Sequence, residues 1–147
     1  MLIFGEQAPG KTYRDRPGAY CVIGREDGRI ACAKTPSGRL WLPGGGIDTG
    51  ETPEQAALRE SQEEVGLTIA ITGTLGTVIQ YAYEKDTHIY WRKICTMMTA
   101  RVIDLAPIEK PLDHELYWAL PQEIKAHNTH GAVHWAVDQY LATKDAR

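Results

Sequence analysis

Glu60, Glu63 and Glu64 are the residues of this chain whose type and spacing invite chemistry. On a helix turning about 100° per residue they share an arc of about 100°. Carboxylates crowded on one arc repel, and like-charged pairs at these spacings each cost a few tenths of a kcal/mol even on exposed helices. A divalent cation removes the conflict, and Mg²⁺ takes carboxylate oxygens together with substrate phosphates. Upstream stand Gly44, Gly45 and Gly46. Glycine lets a backbone approach a ligand closely and adopt conformations closed to other residues, so a backbone carbonyl there can complete a metal's shell. The loop that follows delivers the chain to a helix N-terminus, whose free N–H groups favour nearby anions. Taken singly, a glutamate-rich face is usually solvated surface and three glycines are usually a turn. It is their joint spacing that points to a metal and phosphate site.

The glutamates need a helix to align them. Thr52 is a good N-cap, Pro53 suits the first helical position, Gln55 completes a capping box and Gly66 is a natural stop. The spacing predicts a helix over 53–65, with Leu58 and Val65 opposite the carboxylates and Ala57 and Ser61 flanking them. Apolar and β-branched runs predict strands over 19–24, 29–35, 40–42, 67–72, 74–83, 88–103 (with a bulge) and 115–119, the first two joined by an Asp27-Gly28 hairpin turn. A brief helix starts at 120–123, and an amphipathic helix covers 132–142 with Val133, Ala136, Val137 and Tyr140 at helical spacing. Strands interleaved with a few helices imply an α+β fold, a mixed central sheet covered by helices.

Composition bounds the alternatives. At 147 residues the chain reads as a single domain, 1–147. Its formal net charge of −3 argues against a nucleic-acid-coating role, because phosphate backbones are gripped by clustered Lys and Arg. A single nucleotide needs only one or two local cations. Cys21, Cys32 and Cys95 are odd in number, lack metal-type spacing and lie in apolar runs, so they read as reduced, buried thiols in a cytoplasmic protein. Neither a secretory leader nor a membrane-spanning run is apparent.

The stretch from Gly44 to Leu67 resembles the Nudix box, G-x5-E-x7-R-E-U-x-E-E-x-G-U, where U is a bulky aliphatic. Gly45, Glu51, Arg59, Glu60, Glu63, Glu64, Gly66 and Leu67 match it. With Gly and Glu each at about one residue in fifteen, the seven fixed letters coincide by chance about once in 10⁸ windows. Ser61 departs, standing where the pattern has an aliphatic, so Ser61→Leu is expected to be tolerated. The resemblance implies a Nudix-type α/β/α sandwich and hydrolysis of a diphosphate linkage in a nucleotide-like small molecule, with Mg²⁺ or Mn²⁺ as cofactor. Residue by residue, it implies that Glu60 and Glu64 ligate the metal with the Gly44 carbonyl. Glu63 would be a further ligand or the base for water, and Arg59 would hold Glu51 and orient the row. An acidic residue beyond the box is a further expectation, and Glu115 in HELYW takes that place, with Asp113 and Glu109 as alternatives.

Other residues carry weaker signals. Lys34 lies on the strand before the glycines, where a cation for substrate phosphate is expected, and Arg16 and Arg92 are similar candidates. Tyr83 resembles an aromatic of dinucleoside polyphosphate hydrolases. The absence of proline between Pro53 and Pro107 counts modestly against the ADP-ribose branch. His127, His130 and His134 have spacing suggestive of zinc, but a loop and Gly131 interrupt them. The four tryptophans read mostly as core, with one available to stack on a base. Two rival readings stand beside hydrolysis of a small nucleotide: a non-catalytic Nudix-fold nucleotide-binding or regulatory module, and an enzyme acting on the 5′ end of RNA. Neither a membrane nor a stable nucleic-acid partner is expected, and self-association into a homodimer is left open.

Overall fold

The computed structural model describes residues 1–106 and 111–145. Along them run β1 (Ile3–Phe4), β2 (Tyr13–Ile23), β3 (Ile30–Lys34), β4 (Leu40–Trp41), β5 (Gly44–Gly46), α1 (Pro53–Val65), β6 (Leu67–Glu84), β7 (Ile89–Leu105), β8 (Glu115–Ala119), α2 (Pro121–Ala126) and α3 (Gly131–Asp145). A five-stranded sheet has the order β1-β6-β7-β2-β5, and a three-stranded sheet the order β4-β3-β8. The larger sheet is mixed: β2 runs parallel to β7 and β1 to β6, while β6 and β7 form a long antiparallel ribbon.

Two apolar clusters sit on either side of the strands. One gathers Ala19, Cys21, Ile23, Met98 and Ala100 against Ala56, Ala57 and Val65 of α1. The other gathers Val22, Val78, Cys95 and Met97 against Ile124 of α2 and Val133, Ala136 and Val137 of α3. This is the expected α/β/α sandwich. All three cysteines are buried and unpaired. Among the described residues no helix is long and apolar enough to cross a membrane.

Several expectations change. The strand expected at 19–24 begins at Tyr13, because the polar run 13–18 pairs with residues 90–95 of β7. Segments 67–72 and 74–83 are one strand. The β6–β7 register shows the ladder continuing past its irregularities, with the extra residue at Ile103 on β7 and at Thr72 and Leu75 on β6. The three glycines are not loop but an edge strand, Gly44–Gly46 pairing with residues 18–20.

The packing of α1 is the most consequential correction. Its caps form as predicted: Thr52 Oγ1 accepts from Gln55 N at 3.1 Å, Gln55 Oε1 accepts from Thr52 N at 2.9 Å, and Gly66 closes the helix. Leu58, however, is 38% exposed. The buried residues are Ala56, Ala57, Ser61 and Val65. Val65 is buried as expected, and the buried face runs from it through Ser61 and Ala57 to Ala56, adjoining the glutamates and leaving Leu58 outside. Ser61 is 0% exposed and its hydroxyl has no partner among the described residues. That enclosure argues against leucine there, since extra carbons in a closed site strain it.

Candidate active site

β5 and α1 build the centre of the site together. A Cβ on Gly45 would lie 2.8 Å from the Glu60 carboxyl carbon, and one on Gly44 only 2.2 Å from the Ala19 carbonyl oxygen. Gly44 also has φ of 151°, which side chains rarely adopt. The glycines thus let an edge strand lie directly on the carboxylate row. The Gly44 N–H donates to Glu64 Oε1 at 3.0 Å, so what the structure gives Gly44 is a donor role toward a glutamate.

Arg59 organises the rest. Its Nε and Nη2 donate to Glu51 at 2.8 and 2.9 Å, Nη2 also to the Gly46 carbonyl at 3.1 Å, and Nη1 to Glu60 at 2.9 Å and Glu63 at 3.2 Å. Glu51 in turn accepts from Asp48 N at 2.8 Å. The Arg59 guanidinium holds the Glu51 carboxyl down at about 2. One planar fork from Arg59 ties the 46–51 loop to the glutamate row.

Glu64 has the opposite environment. Its side chain is 14% exposed. Burial, then the charges of Glu60, Asp113 and Glu63, push it up to about 8 against the Gly44 hydrogen bond that favours ionisation. Glu60 is also raised, mainly by burial. Among the described residues no three His, Cys, Asp or Glu side chains already converge on one point, because Arg59 draws Glu60 and Glu63 toward itself. The donor chemistry nonetheless fits a hard divalent cation: oxygen ligands, partly enclosed, in mutual repulsion that a cation relieves.

The segment leading into β8 is clipped to the end of α1. Asp113 N donates to the Glu63 carbonyl at 3.3 Å and His114 N to the Glu64 carbonyl at 3.1 Å. His114 Nδ1 lies 3.7 Å from Glu64 Oε2. Lys34, Asp113, His114 and Glu115 line one cleft there, of about 360 Å³. Lys34 Nζ lies 4.7 Å over the Tyr117 ring. Glu115 is exposed and pairs through its backbone with Lys34. Glu109 lies outside the described residues.

A second, larger cleft of about 520 Å³ opens on the α3 side, lined by Arg16, Arg39, Trp41, Tyr83, Glu84, Lys85, Trp91, Lys93 and His130, among others. Four of these carry positive charge and one negative, in a chain whose net charge is −3. Arg16 sits over Trp91 at 5.4 Å and Lys93 over Trp41 at 5.5 Å. Burial, then Lys93 and Arg39, hold His130 at about 4, so it is neutral at pH 7. Arg16 joins this cleft to the glycine strand, since its Nε lies 3.7 Å from where a Gly46 Cβ would be.

The structure therefore brings Glu51, Arg59, Glu60, Glu63, Glu64 and Gly44 together, places Lys34 and Glu115 in one flanking cleft, and places Arg16 and Tyr83 in the other. Arg92 lines neither; it points to the other sheet face and pairs with Asp15 at 3.3 Å. His130 lies edge-on to Trp41 and His134 bonds the Asn128 carbonyl. Sequence reasoning missed Lys93 and did not single out Trp91 among the four tryptophans. Their alternation on β7, with Arg92 between them, was the available signal. It also missed Arg39 and His114, which no periodicity marks.

The sequence profile described as NUDIX domain matches residues 14–140. A protein named putative 8-oxo-dGTP diphosphatase from Bacillus subtilis is 33% identical over 78 residues, 52% of each chain. An RNA pyrophosphohydrolase from Aliivibrio fischeri is 52% identical over 54 residues, 36% of this chain and 32% of that one. The chain thus spans about half the length, or less, of the curated relatives it matches. Among solved structures, a NUDIX hydrolase from Nitrosomonas europaea superposes with a TM-score of 0.68 at 23% identity, over 89% of this chain and 91% of that one, a likeness of fold.

Proposed function

The chain belongs to the NUDIX family, and from that premise we propose that it is a pyrophosphohydrolase cleaving a diphosphate linkage in a nucleotide-like small molecule. The observation that carries this reading is the partly enclosed carboxylate row of α1, held by Arg59 and the glycine strand, with a cleft rich in cations and tryptophans beginning at Arg16 beside that strand. Anionic phosphates would add to the single countercharge, Glu84, that Arg16, Arg39, Lys85 and Lys93 share in this cleft among the described residues, and a base would supply a flat partner for Trp41 or Trp91. Glu60, Glu63 and Glu64 would hold Mg²⁺ or Mn²⁺, which when bound neutralises diphosphate charge and supplies Lewis acidity. The chain's own residues do the rest. Arg59 keeps the row aligned, β5 lies against it, and a carboxylate of the row or Glu115 accepts the proton of the attacking water. Arg16, between the glycine strand and the larger cleft, positions the phosphate chain, and Lys34 reaches it from the other side.

Two relatives bear names of different substrate classes, 8-oxo-dGTP and RNA, and the segments they share with this chain cover only part of each. Both classes therefore belong in the test. Purified protein is offered nucleoside triphosphates, nucleotide sugars, dinucleoside polyphosphates and 5′-triphosphorylated RNA, with Mg²⁺, with Mn²⁺ or with excess chelator. The reading expects release of phosphate, pyrophosphate or a nucleoside monophosphate from at least one, and only with metal. Full turnover in chelator would refute the metal assignment. Tight nucleotide binding with no turnover of any substrate would instead make the chain a binding module.

A further inference from the structure

We propose that His114 is a nitrogen ligand for the divalent ion of the glutamate row, giving the site a mixed nitrogen and oxygen donor set. The inference rests on the metal reading above. It starts from an atom with nothing to do: His114 Nδ1 is buried and has no hydrogen-bond partner among the described residues. Buried polar atoms in folded proteins are overwhelmingly paired, so an orphan asks for a reason.

Its position supplies one. The backbone of His114 is fixed to α1 by donation to the Glu64 carbonyl at 3.1 Å, and that of Asp113 to the Glu63 carbonyl at 3.3 Å. These carbonyls lie in the last turn of the helix, where no intrahelical donor serves them. The imidazole is thereby anchored by the same two residues whose side chains form the row. Its Nδ1 stands 3.7 Å from Glu64 Oε2, too far for a hydrogen bond. Ligand atoms bound to a common ion at about 2.1 Å each can stand no more than about 4.2 Å apart, so this gap suits two donors to one ion. Glu115, the residue the sequence favoured for this loop's contribution, is exposed. It is its neighbour that faces Glu64.

The chemical consequence is selectivity. Carboxylates suit Mg²⁺ and Mn²⁺, whereas imidazole suits Ni²⁺, Co²⁺ and Zn²⁺. Any such site binds Ni²⁺ more tightly than Mg²⁺, so the preference alone says nothing. What His114 adds is a nitrogen-dependent increment, confined to the softer ions and lost with the side chain.

Pulsed electron paramagnetic resonance on the Mn²⁺-loaded full chain, without nucleotide, reads this directly. The expected result is imidazole ¹⁴N modulation in the wild type, kept in His134→Gln and lost in His114→Phe. Calorimetric titration should show Ni²⁺ affinity falling in His114→Phe by at least the roughly 10–100-fold that changing even an outer-shell partner costs, with Mg²⁺ affinity little changed. Mn²⁺ bound to the wild type without ¹⁴N modulation would overturn the proposal and leave the glutamate reading standing. An equal fall for Ni²⁺ and Mg²⁺ would assign His114 a purely structural role and overturn it too. No Mn²⁺ binding at all would overturn the metal reading itself. Should His114→Phe not fold, the wild-type spectrum decides alone.

Discussion

Replacing Glu64 by Gln removes one charge from the most enclosed carboxylate of the row while keeping an acceptor for the Gly44 N–H, 3.0 Å away. Without a cation, burial and then the charges of Glu60, Asp113 and Glu63 push the Glu64 carboxyl from 4.5 up to about 8. Between those values the folded protein keeps a proton that the unfolded chain has released. Stability therefore falls as pH rises through that window, and the loss is complete above it. Each pH unit removes about 1.4 kcal/mol, about 5 kcal/mol at most across the window. The side chain is only 14% exposed, so solvent screens little of this. Glutamine does not titrate. In excess chelator, urea unfolding at pH 5, 7 and 8.5 should show Glu64→Gln gaining several kcal/mol on the wild type as pH rises, other titrating groups cancelling in the difference. Saturating Mn²⁺ should reverse the order, because the ion binds ionised Glu64 and stabilises the folded state by mass action. Turnover of the variant should drop by at least the roughly 10²–10⁴-fold of losing a proton-transfer group. Parallel pH curves for the two proteins would show that Glu64 ionises as freely as in water, and the electrostatic account of the row would fail.

Other perturbations test the scaffold around that charge. Gly45→Ala sets a methyl group 2.8 Å from the Glu60 carboxyl carbon; displacement of about 1 Å costs about 10²-fold in rate, with an unchanged circular dichroism spectrum, and wild-type turnover would disprove the close approach. Arg59→Lys gives up the fork on Glu51 and the bond to the Gly46 carbonyl, so denaturant titration should show a loss of about 1–3 kcal/mol together with lower turnover. Ser61→Ala removes a buried hydroxyl without a partner among the described residues and should raise the apo melting midpoint, by up to about 1–3 kcal/mol of stability. Ser61→Leu should lower it by about 1–3 kcal/mol through overpacking, and a rise with leucine would show that the helix has room for the aliphatic of the family pattern.

Much of the fold was legible because its signals are local. The caps of α1 are written in Thr52, Pro53, Gln55 and Gly66, and the strand cores in runs such as 19–24 and 29–35. What was not legible depends on partners distant in sequence. Residues 13–18 are polar and contain Pro17, and they become strand only because β7 lies alongside in register. Gly44–Gly46 carry no side chains to pattern, and their pairing with residues 18–20 is set by β2. The division of β6 at Gly73 was a reasonable inference from a glycine, but a bulged ladder absorbs extra residues without ending.

The site shows the same division with a sharper consequence. Angular spacing correctly gathers Glu60, Glu63 and Glu64 on one arc, and Arg59 does reach Glu51. Yet spacing gives only relative angles, not which angle faces the sheet. Treating Leu58 as the anchor set the carboxylates in solvent, where their repulsion is worth tenths of a kcal/mol. Val65 is an anchor as expected, but its companions are the small residues Ala56, Ala57 and Ser61, which let the helix press against β2 and β5. That packing carries Glu64 under the glycine strand and against the 113–114 segment. Burial then raises the electrostatic stakes from tenths of a kcal/mol to several. An exposed row would bind a cation weakly and titrate like free glutamate. The enclosed row is unfavourable when ionised and metal-free, so the cation becomes the condition under which its charges are stable together. The absence of large side chains at Gly45, Ala56, Ala57 and Ser61 is thus as much a part of the site as the glutamates, and it is the part that a search for chemically active residues passes over.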